Sequence, residues 1–404
     1  MKMNAVIAGV GTTRIARHVD RTLSDLAHEA ITQALQDAGI DASKIQAVWA
    51  GNAAAPLMTG QVCIAGQAIL RGLGIGRVPV VNVENACATA STAMQQAAAM
   101  VTLGAYDVVL AFGVEKLYSR DKQKVFSVFA GCADVEHPEA LDRFILDDGA
   151  DTAGAGQSRS VFMDVYARLA RDYMARSGAT ARDFAAISAK NSFHGSLNPN
   201  AQFRDVLTVD DVLGSPAIIA PLTLTMCSPL ADGAAAAVIM SPKAARELGV
   251  RSPVKILSSV LASGYDYAEG IEKLTAWTAR QAYEAAGLGP SDVNCAELHD
   301  ASSPAEMIYY EALGLCGAGE GVQFLADGHT RIGGRVPVNT SGGLVRKGHP
   351  IGATGLSQIH ELVLQLRGDA GPRQAEGARV ALAENGGGFL GEDSAAIVVT
   401  LLGK

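Results

Sequence analysis

The chain has little of what marks nucleic-acid-binding, membrane-spanning or secreted proteins. Its 404 residues carry a net charge of −8, so it lacks the basic surface that nucleic-acid binding requires. No apolar run approaches the roughly 18 residues of a membrane span. The first residues, MKMNAVIAGVG, lack the apolar segment and cleavage site of a signal peptide. We therefore expect a cytoplasmic protein that binds neither nucleic acid nor membrane.

Cofactor motifs and paired cysteines are also missing. The GVGTTR segment from Gly9 lacks the third glycine of a dinucleotide fingerprint, and no GxxxxGK[ST] sequence occurs, so NAD and ATP are not expected. Without a C-x-x-C pair, the scattered cysteines indicate neither a disulfide framework nor a zinc site. We expect no metal and no bound cofactor, one or two chemically active cysteines, and small core residues for the rest. The six are Cys63, Cys87, Cys132, Cys227, Cys295 and Cys316.

An internal sequence repeat divides the chain into two related halves. Residues 30–50 and 279–298 both predict an amphipathic helix, a glycine at its end, a polar turn and a strand. Gly39 and Gly287 stand where a helix C-cap tolerates positive φ. Aromatics are only 5% of the chain, so the core is expected to consist of small and aliphatic residues. Alternating strands and helices then predict an α/β fold with mostly parallel, buried sheets.

The predicted elements set the domain boundaries. Residues 1–118 and 223–250 form the first half, residues 251–404 the second, and residues 119–222 an inserted loop domain that carries specificity. Predicted strands cover 4–10, 45–50, 78–83, 108–112 and 234–240, then 254–262, 293–298, 378–382 and 395–401. Predicted helices cover 23–38, 88–103, 273–286, 304–313 and 354–366.

Cys87 is the strongest candidate for chemistry. It lies in VVNVENACATAS, which predicts a buried strand, a short polar elbow and a helix of small residues. An elbow of this kind projects a nucleophile away from the sheet edge. The helix N-terminus is expected to favour the thiolate form of the cysteine. The alternative is a small core cysteine.

Two histidines are the candidate acid–base groups. His349 lies between glycines in SGGLVRKGHPIGATG and is suited to take a thiol proton, although a loop histidine that caps the next helix is the alternative. His299 follows the predicted strand 293–298, at the strand end where α/β sites form, and is suited to donate to an oxyanion. The alternative is that the residues next to His299 only cap the following helix, without any chemical role. The glycines of ENGGGFLGED predict a tight turn whose N–H groups face substrate.

Taken together, these segments resemble the thiolase superfamily along essentially the whole chain, and most of all the sterol-carrier-protein-2-type thiolases with their bacterial and archaeal relatives. The matching segments are NACATAS around Cys87, HDASSPAEM from His299, NTSGGLVRKGHPIGATG around His349, ENGGGFLG from Glu384, SPLADGAAAAVIM from Ser228 and KNSFHGSLNPNAQFR from Lys190. The resemblance implies a five-layered αβαβα fold of two similar halves, with a loop domain that helps to hold coenzyme A. It also implies a homodimer or a dimer of dimers.

The resemblance also assigns roles. Cys87 matches the acyl-accepting nucleophile, His349 the histidine that activates it, and His299 the residue that helps to form the oxyanion hole. The family's second cysteine, which handles the substrate α-proton, is missing here, because its two known places are taken by Glu384 and Ala301. That leaves His299 as the first candidate for the α-proton and Glu384 as the second.

Other residues are assigned by their place in a motif. Asn385 and the Gly387 backbone are further oxyanion or acid–base candidates beside Glu384. Ser341, Gly342 and Asn339 are candidates to line the pantetheine channel. The basic residues of the loop domain, Arg204, Lys190 and Arg143, are candidates for coenzyme A phosphates, with ordinary solvated side chains as the alternative. Cys295 and Cys316 are expected to be core residues.

The resemblance implies an acyltransferase that moves an acyl group between a 3-oxoacyl-CoA and coenzyme A through a Cys87 acyl-enzyme, in thiolytic cleavage or its reverse, a Claisen condensation. Coenzyme A is then a substrate rather than a cofactor. The alternatives are a condensing acyltransferase or aldolase-like enzyme of the same superfamily, and a non-catalytic acyl-CoA-binding subunit. Some relatives act with a small OB-fold protein, so a separate partner of that kind is compatible with the sequence.

Overall fold

The computed structural model describes residues 1–146, 149, 151–265 and 271–404. Its strands are β1 (Lys2–Thr12), β2 (Ala47–Gly51), β3 (Val80–Val83), β4 (Val108–Glu115), β5 (Ala217–Ile219), β6 (Leu222–Thr223), β7 (Gly233–Met240), β8 (Val254–Ser263), β9 (Cys295–Glu297), β10 (Val380–Gly387) and β11 (Ala396–Gly403). Strands β5 and β6 form a small hairpin, and the other strands share one sheet in the order β3-β2-β4-β7-β1-β8-β11-β10-β9.

The helices surround this sheet on both faces. They are α1 (Leu23–Ala38), α2 (Ala55–Met58), α3 (Ala65–Arg71), α4 (Thr89–Thr102), α5 (Lys122–Ala130), α6 (Glu139–Leu146), α7 (Val161–Ser177), α8 (Ala181–Ser196), α9 (Val209–Leu213), α10 (Pro242–Glu247), α11 (Leu274–Ala286), α12 (Ser303–Ala312), α13 (Gly321–Ala326), α14 (Gly343–Lys347) and α15 (Thr354–Arg367). Every helix and strand predicted for the two halves is present. The largest boundary error is in β10, which runs to Gly387 instead of ending at Leu382.

The prediction of mostly parallel sheets is wrong. Strand β2 is parallel to β3 and β4, and β9 is parallel to β10. The middle of the sheet, from β4 through β7, β1, β8 and β11 to β10, is antiparallel at every step. Strand β11 follows β10 after the short connection 388–395, and a connection of that length returns the chain antiparallel because a parallel return needs a longer crossover.

The helices and the two halves of the sheet form five layers, as expected. Helix α1 packs on the outer face of β1, β4 and β7. Helices α4 and α15 pack against each other and lie between the two halves of the sheet, in a core of small and aliphatic side chains. Helices α11 and α12 cover the outer face of the second half. The order is therefore α, β, α, β, α, with the central helices contacting both halves.

The repeat predicted from the sequence is visible in the equivalent helices α1 and α11. Gly39 after α1 has φ 68° and Gly287 after α11 has φ 69°, and each N–H donates to two carbonyls of the last helical turn. The strand orders also correspond, since β2-β4-β7-β1 in the first half is mirrored by β9-β10-β11-β8 in the second. Strands β4 and β10 occupy equivalent places in the two halves.

Residues 119–222 supply helices α5 to α9, and α7 and α8 pack against α12 of the second half. This places the inserted segment over one end of the layers, while its boundaries as a domain stay a prediction. Within the described ranges, no helix combines the length and apolar character that crossing a membrane requires.

Candidate active site

A cleft of about 1060 Å³ opens where the two halves meet residues 119–222. Its lining includes residues after β4, residues of α7 and α12, and the end of β10. Large apolar side chains cover much of the wall: Phe126, Phe129, Phe162, Met163, Leu169, Ile308 and Phe389. Cys87, His299 and His349 also line it, so the three principal candidates from the sequence share one cavity.

The elbow before α4 holds Cys87 in place. Ala86 has φ 47°, a left-handed conformation that a residue with a side chain adopts only where the surroundings enforce it. The Thr89 hydroxyl donates to the Ala86 carbonyl at 2.7 Å and accepts from the Asn85 N–H at 2.8 Å. A Cβ on Gly387 would lie 2.3 Å from the Asn85 carbonyl, so only glycine lets β10 approach the elbow this closely.

Three side chains converge at the elbow. The Cys87 sulfur and one ring nitrogen each of His299 and His349 all lie within 4.8 Å of one another. The two Nε2 atoms are 3.4 Å apart. Burial raises the pKa of the thiol, and the backbone N–H of Gly388, which faces the sulfur, lowers it in part. The first half thus supplies the thiol, and the second half supplies both imidazoles and a backbone donor.

A hydrogen bond fixes the tautomer of His349. Its Nδ1 lies 2.7 Å from the Thr354 hydroxyl, and that hydroxyl lies 3.1 Å from the Pro350 carbonyl. A carbonyl only accepts, so the hydroxyl donates to it and accepts from Nδ1–H. The proton is then on Nδ1, and the lone pair of Nε2 faces the cleft. His349 is therefore set up as a base toward Cys87.

His299 takes the complementary role. Two facing Nε2 lone pairs at 3.4 Å would repel each other, so His299 carries its proton on Nε2 and presents an N–H toward the cleft. Its own backbone N–H donates to Glu384 Oε2 at 2.9 Å, which ties this histidine to β10. A neutral imidazole N–H in this position is an oxyanion donor.

Burial keeps all three groups uncharged at rest. It raises the pKa of the Cys87 thiol well above its usual range, opposite to the thiolate expected from the helix N-terminus. It lowers the pKa of His299 to about 4. Burial, His299 and Lys347 together lower the pKa of His349 well below its usual value. The thiolate expectation is corrected because desolvation outweighs the helix dipole, so the thiol must lose its proton to His349 as it reacts.

The other candidates in the ENGGG segment fall into two groups: those that line the cleft and those that do not. Gly386 and Gly387 belong to β10 rather than to a turn, and both line the cleft. Glu384 and Asn385 do not line it. The Asn385 Oδ1 accepts from the Ser91 hydroxyl of α4 at 2.6 Å, in the central layer. Burial raises the pKa of Glu384 to about 8, and its Oε1 has no partner among the described residues.

The candidates for the coenzyme A channel do not line the cleft. Lys190 is buried in an ion pair with Glu306 at 2.6 Å, so its ammonium is not available to a phosphate. The Ser341 hydroxyl and N–H both donate to Glu297. The remaining four residues are also absent from the cleft lining: Asn339, Gly342, and the exposed Arg143 and Arg204. Lys190, Ser341 and Asn339 serve the fold, because the buried carboxylates of Glu306 and Glu297 take up their polar groups.

Thr354, which orients His349, and several basic residues of the cleft escaped the sequence analysis. Thr354 was visible only as the first residue of a predicted helix, five places after His349. Basic side chains in the lining include Arg17, Arg120, Lys122, Arg159 and Arg346.

The cysteines also differ from expectation. All six are free. Cys295 is a core residue, as expected, and Cys316 packs against the core. Cys63 is exposed, whereas Cys132 and Cys227 line the cleft. The last three correct the expectation that the remaining cysteines are small core residues.

Cys87, His299 and His349 are also the one group of close donors in the described part of the chain whose residue types could hold a metal ion. A thiolate and two imidazoles suit zinc. The same three groups suit metal-free acyl transfer equally well, since a thiol, a base and an N–H donor are already present.

Comparisons with known proteins identify the family of the chain. Residues 5–243 match the family model described as thiolase, N-terminal domain, and residues 269–400 match the model described as thiolase C-terminal domain-like. The chain belongs to the thiolase family.

Relatives cover nearly the whole chain. Benzoylsuccinyl-CoA thiolase subunit BbsB of Thauera aromatica is 35% identical over 96% of both chains. Acetyl-CoA acetyltransferase of Methanothermobacter thermautotrophicus is 36% identical over 95% of this chain and 96% of its own. Among solved structures, the Ltp2-ChsH2(DUF35) aldolase superposes with a TM-score of 0.81 and 29% identity, over 99% of this chain and 97% of that one.

Proposed function

We propose that the protein transfers an acyl group between a 3-oxoacyl-CoA and coenzyme A through a thioester on Cys87. One observation carries the proposal: a thiol, an imidazole lone pair and an imidazole N–H meet within 4.8 Å inside the cleft. The thiolase relatives support the reaction class. Coenzyme A is then a substrate, and no metal or bound cofactor takes part.

In the first step, His349 Nε2 takes the Cys87 proton as the sulfur attacks the C3 ketone carbon. The His299 Nε2–H and the Gly388 N–H lie beside the sulfur and are suited to stabilise the oxyanion that forms. Such a donor contributes roughly 3–4 kcal/mol to the transition state. The C2–C3 bond then breaks, and its electron pair goes to C2, which takes a proton and leaves as acetyl-CoA.

In the second step, His349 Nε2 takes the thiol proton of free coenzyme A as that sulfur attacks the thioester on Cys87, and His349 returns the proton to the Cys87 sulfur as the thioester breaks. The acyl group leaves as a new acyl-CoA, and Cys87 regains its thiol. Run in reverse, the same steps form a carbon–carbon bond, so concentrations set the direction.

The donor of the C2 proton is His349 or His299, since the proton removed from Cys87 is held within this pair. His349 carries that proton after the first step, and the two Nε2 atoms are 3.4 Å apart. We propose that His299 exchanges the α-proton, in place of the missing second cysteine: it gives its Nε2 proton to C2 and takes over the Cys87 proton from His349. Glu384 is set aside because it does not line the cleft.

An aldolase-like carbon–carbon lyase is the second candidate. The missing second cysteine and the similarity to the Ltp2-ChsH2(DUF35) aldolase favour it. Retro-aldol cleavage of a 3-hydroxyacyl-CoA leaves no acyl group on a cysteine. The buried thiol paired with a base therefore favours acyl transfer over this alternative and over a non-catalytic subunit.

We further propose a cytoplasmic homodimer or dimer of dimers that processes acyl chains of lipids or related acids. A separate small OB-fold partner is also part of the proposal. Two relatives support it, since BbsB is a subunit of its thiolase and the solved aldolase is a complex with a DUF35 protein. Activity assays should therefore be run with and without such a partner.

The test is a thiolysis assay with acetoacetyl-CoA and longer 3-oxoacyl-CoAs, using wild type, Cys87→Ser and Cys63→Ser. Cys63 is an exposed cysteine outside the cleft and serves as the matched control. Loss of the nucleophile is expected to lower kcat at least 10³-fold, whereas Cys63→Ser keeps wild-type activity. Equal activity of Cys87→Ser and wild type would contradict the acyl-enzyme route.

A further inference from the structure

Tyr166, which is buried, and Tyr309, which is half-buried, line the cleft and differ from the buried tyrosines Tyr173, Tyr283 and Tyr310. The hydroxyl of Tyr283 donates to the Leu313 carbonyl at 3.0 Å, and those of Tyr173 and Tyr310 donate to Glu311 and Glu306. Tyr166 and Tyr309 have no hydrogen-bond partner within the described ranges. Neither hydroxyl is among the fully buried polar atoms that lack a partner, so both reach the open space of the cleft and are available to a ligand.

Both side chains face the cleft from neighbouring helices. Tyr166 is on α7, where Phe162, Tyr166 and Leu169 recur at helical spacing and all line the cavity. Tyr309 is on α12, which packs against α7. Tyr166 is 9% exposed, so its ring is almost completely enclosed.

The two phenols share the cleft with Cys87. Burial raises the pKa of Tyr166, and the Cys87 sulfur raises it further. Burial also raises the pKa of Tyr309 well above its usual range, with added contributions from Glu384 and Tyr166. Each group therefore stays protonated at neutral pH and can donate a hydrogen bond. The neighbouring side chains on these two helices, Phe162, Leu169 and Ile308, are apolar.

We propose that Tyr166 and Tyr309 form a polar subsite that selects acyl groups with an oxygen acceptor on the chain beyond the carbon that Cys87 attacks. The acceptor is a hydroxyl, keto or carboxylate oxygen. A plain alkyl chain would leave both phenol donors unpaired in an apolar wall, which is unfavourable. The inference rests on the proposed acyl transfer and adds the substrate class to it.

The test compares six- and eight-carbon 3-oxoacyl-CoAs whose chains end in methyl, hydroxyl or carboxylate. The wild type is expected to prefer the oxygen-ended substrates in kcat/KM by about tenfold or more. Tyr166→Phe, Tyr309→Phe and the double variant are expected to reduce that preference, with roughly a tenfold loss in the double variant. The methyl-ended substrates should keep their kcat/KM in all three. A carboxylate preference without a hydroxyl preference would point to a basic side chain instead and overturn the proposal.

Tyr283→Phe is the matched control, since it removes a buried phenol hydroxyl outside the cleft and should leave the preference unchanged. Melting temperatures identify any variant that fails to fold. If the double variant fails, the single variants are compared with the wild type instead. An acetyl adduct on Cys87 from acetoacetyl-CoA is measured in parallel. Its absence from the wild type would refute the proposed function. Its presence with the same preference in wild type and double variant would refute the tyrosine subsite alone.

Discussion

Each half of the molecule places a buried glutamate on the equivalent strand next to the site, and the two glutamates behave differently. Glu115 ends β4, and its carboxylate accepts from the N–H groups of Ala53, Ala54 and Gly352 and from the Asn52 amide. Glu384 in β10 accepts from the His299 N–H with one oxygen, and its other oxygen has no partner among the described residues.

The difference follows from what each half contributes. Glu115 binds the turn after His349 to the first half, because Gly352 belongs to the second half and the other donors to the first. Glu384 holds His299 within the second half only. The site therefore depends on contacts across the halves: the nucleophile comes from one, the base from the other, and a carboxylate of the first orients the turn that carries the base.

The largest expected effect on activity comes from replacing His349, the base that the second half supplies. His349→Gln removes the proton acceptor of Cys87 and is expected to lower kcat at least 10³-fold. The measurement is thiolysis under saturating substrate. His137→Gln, at an exposed histidine outside the cleft, is the matched control and should keep wild-type activity. More than a tenth of wild-type activity in His349→Gln would mean that another group activates the thiol.

The smaller expected effect separates the two glutamates by their dependence on pH. The folded pKa of Glu384 is about 8, whereas its unfolded value is near 4.5. As pH rises from 4.5 to 8, the unfolded chain loses this proton while the folded chain keeps it, so the wild type loses stability over that window. Glu384→Gln avoids the loss and keeps an acceptor for the His299 N–H. We expect it to gain up to about 4 kcal/mol over the wild type at pH 8, and little below pH 4.5.

Glu115→Gln is the matched contrast. Burial raises the pKa of Glu115 to about 7, but its oxygens face N–H donors that a glutamine NH₂ group would oppose. We expect it to destabilise the fold by roughly 2–3 kcal/mol at pH 8. Urea unfolding at pH 5, 6.5 and 8 measures both variants. If both variants were more stable than the wild type at pH 8, or both less stable, the two carboxyl groups would not have the different roles described above.

The chemistry-bearing turns were predictable from the sequence because their signals are local. The elbow at Cys87, the glycines around His349 and the strand end before His299 are each contained in a short segment. The glycine caps after α1 and α11 were predictable for the same reason. The five layers and the shared role of Cys87, His299 and His349 were expected from the resemblance to the thiolase superfamily that these segments carry.

The features that the sequence did not predict depend on residues that are distant in sequence. Lys190 reads as a solvated cation until Glu306 is placed beside it at 2.6 Å. The protonation state of Cys87 is set by how deeply the two halves bury it, which the elbow sequence does not contain. The antiparallel centre of the sheet follows from which strands become neighbours. The helical spacing of Phe162, Tyr166 and Leu169 predicts a common face, but not that this face lines the cleft.

The central claim is tested most directly by intact-mass spectrometry after brief exposure to acetyl-CoA or acetoacetyl-CoA, with any partner protein present. We expect one added acetyl group on the wild type and on Cys63→Ser, located on Cys87 and discharged by free coenzyme A. Cys87→Ser should gain none that coenzyme A discharges. An acetyl group that forms equally on Cys87→Ser, or turnover of 3-oxoacyl-CoA without any adduct on Cys87, would contradict the account.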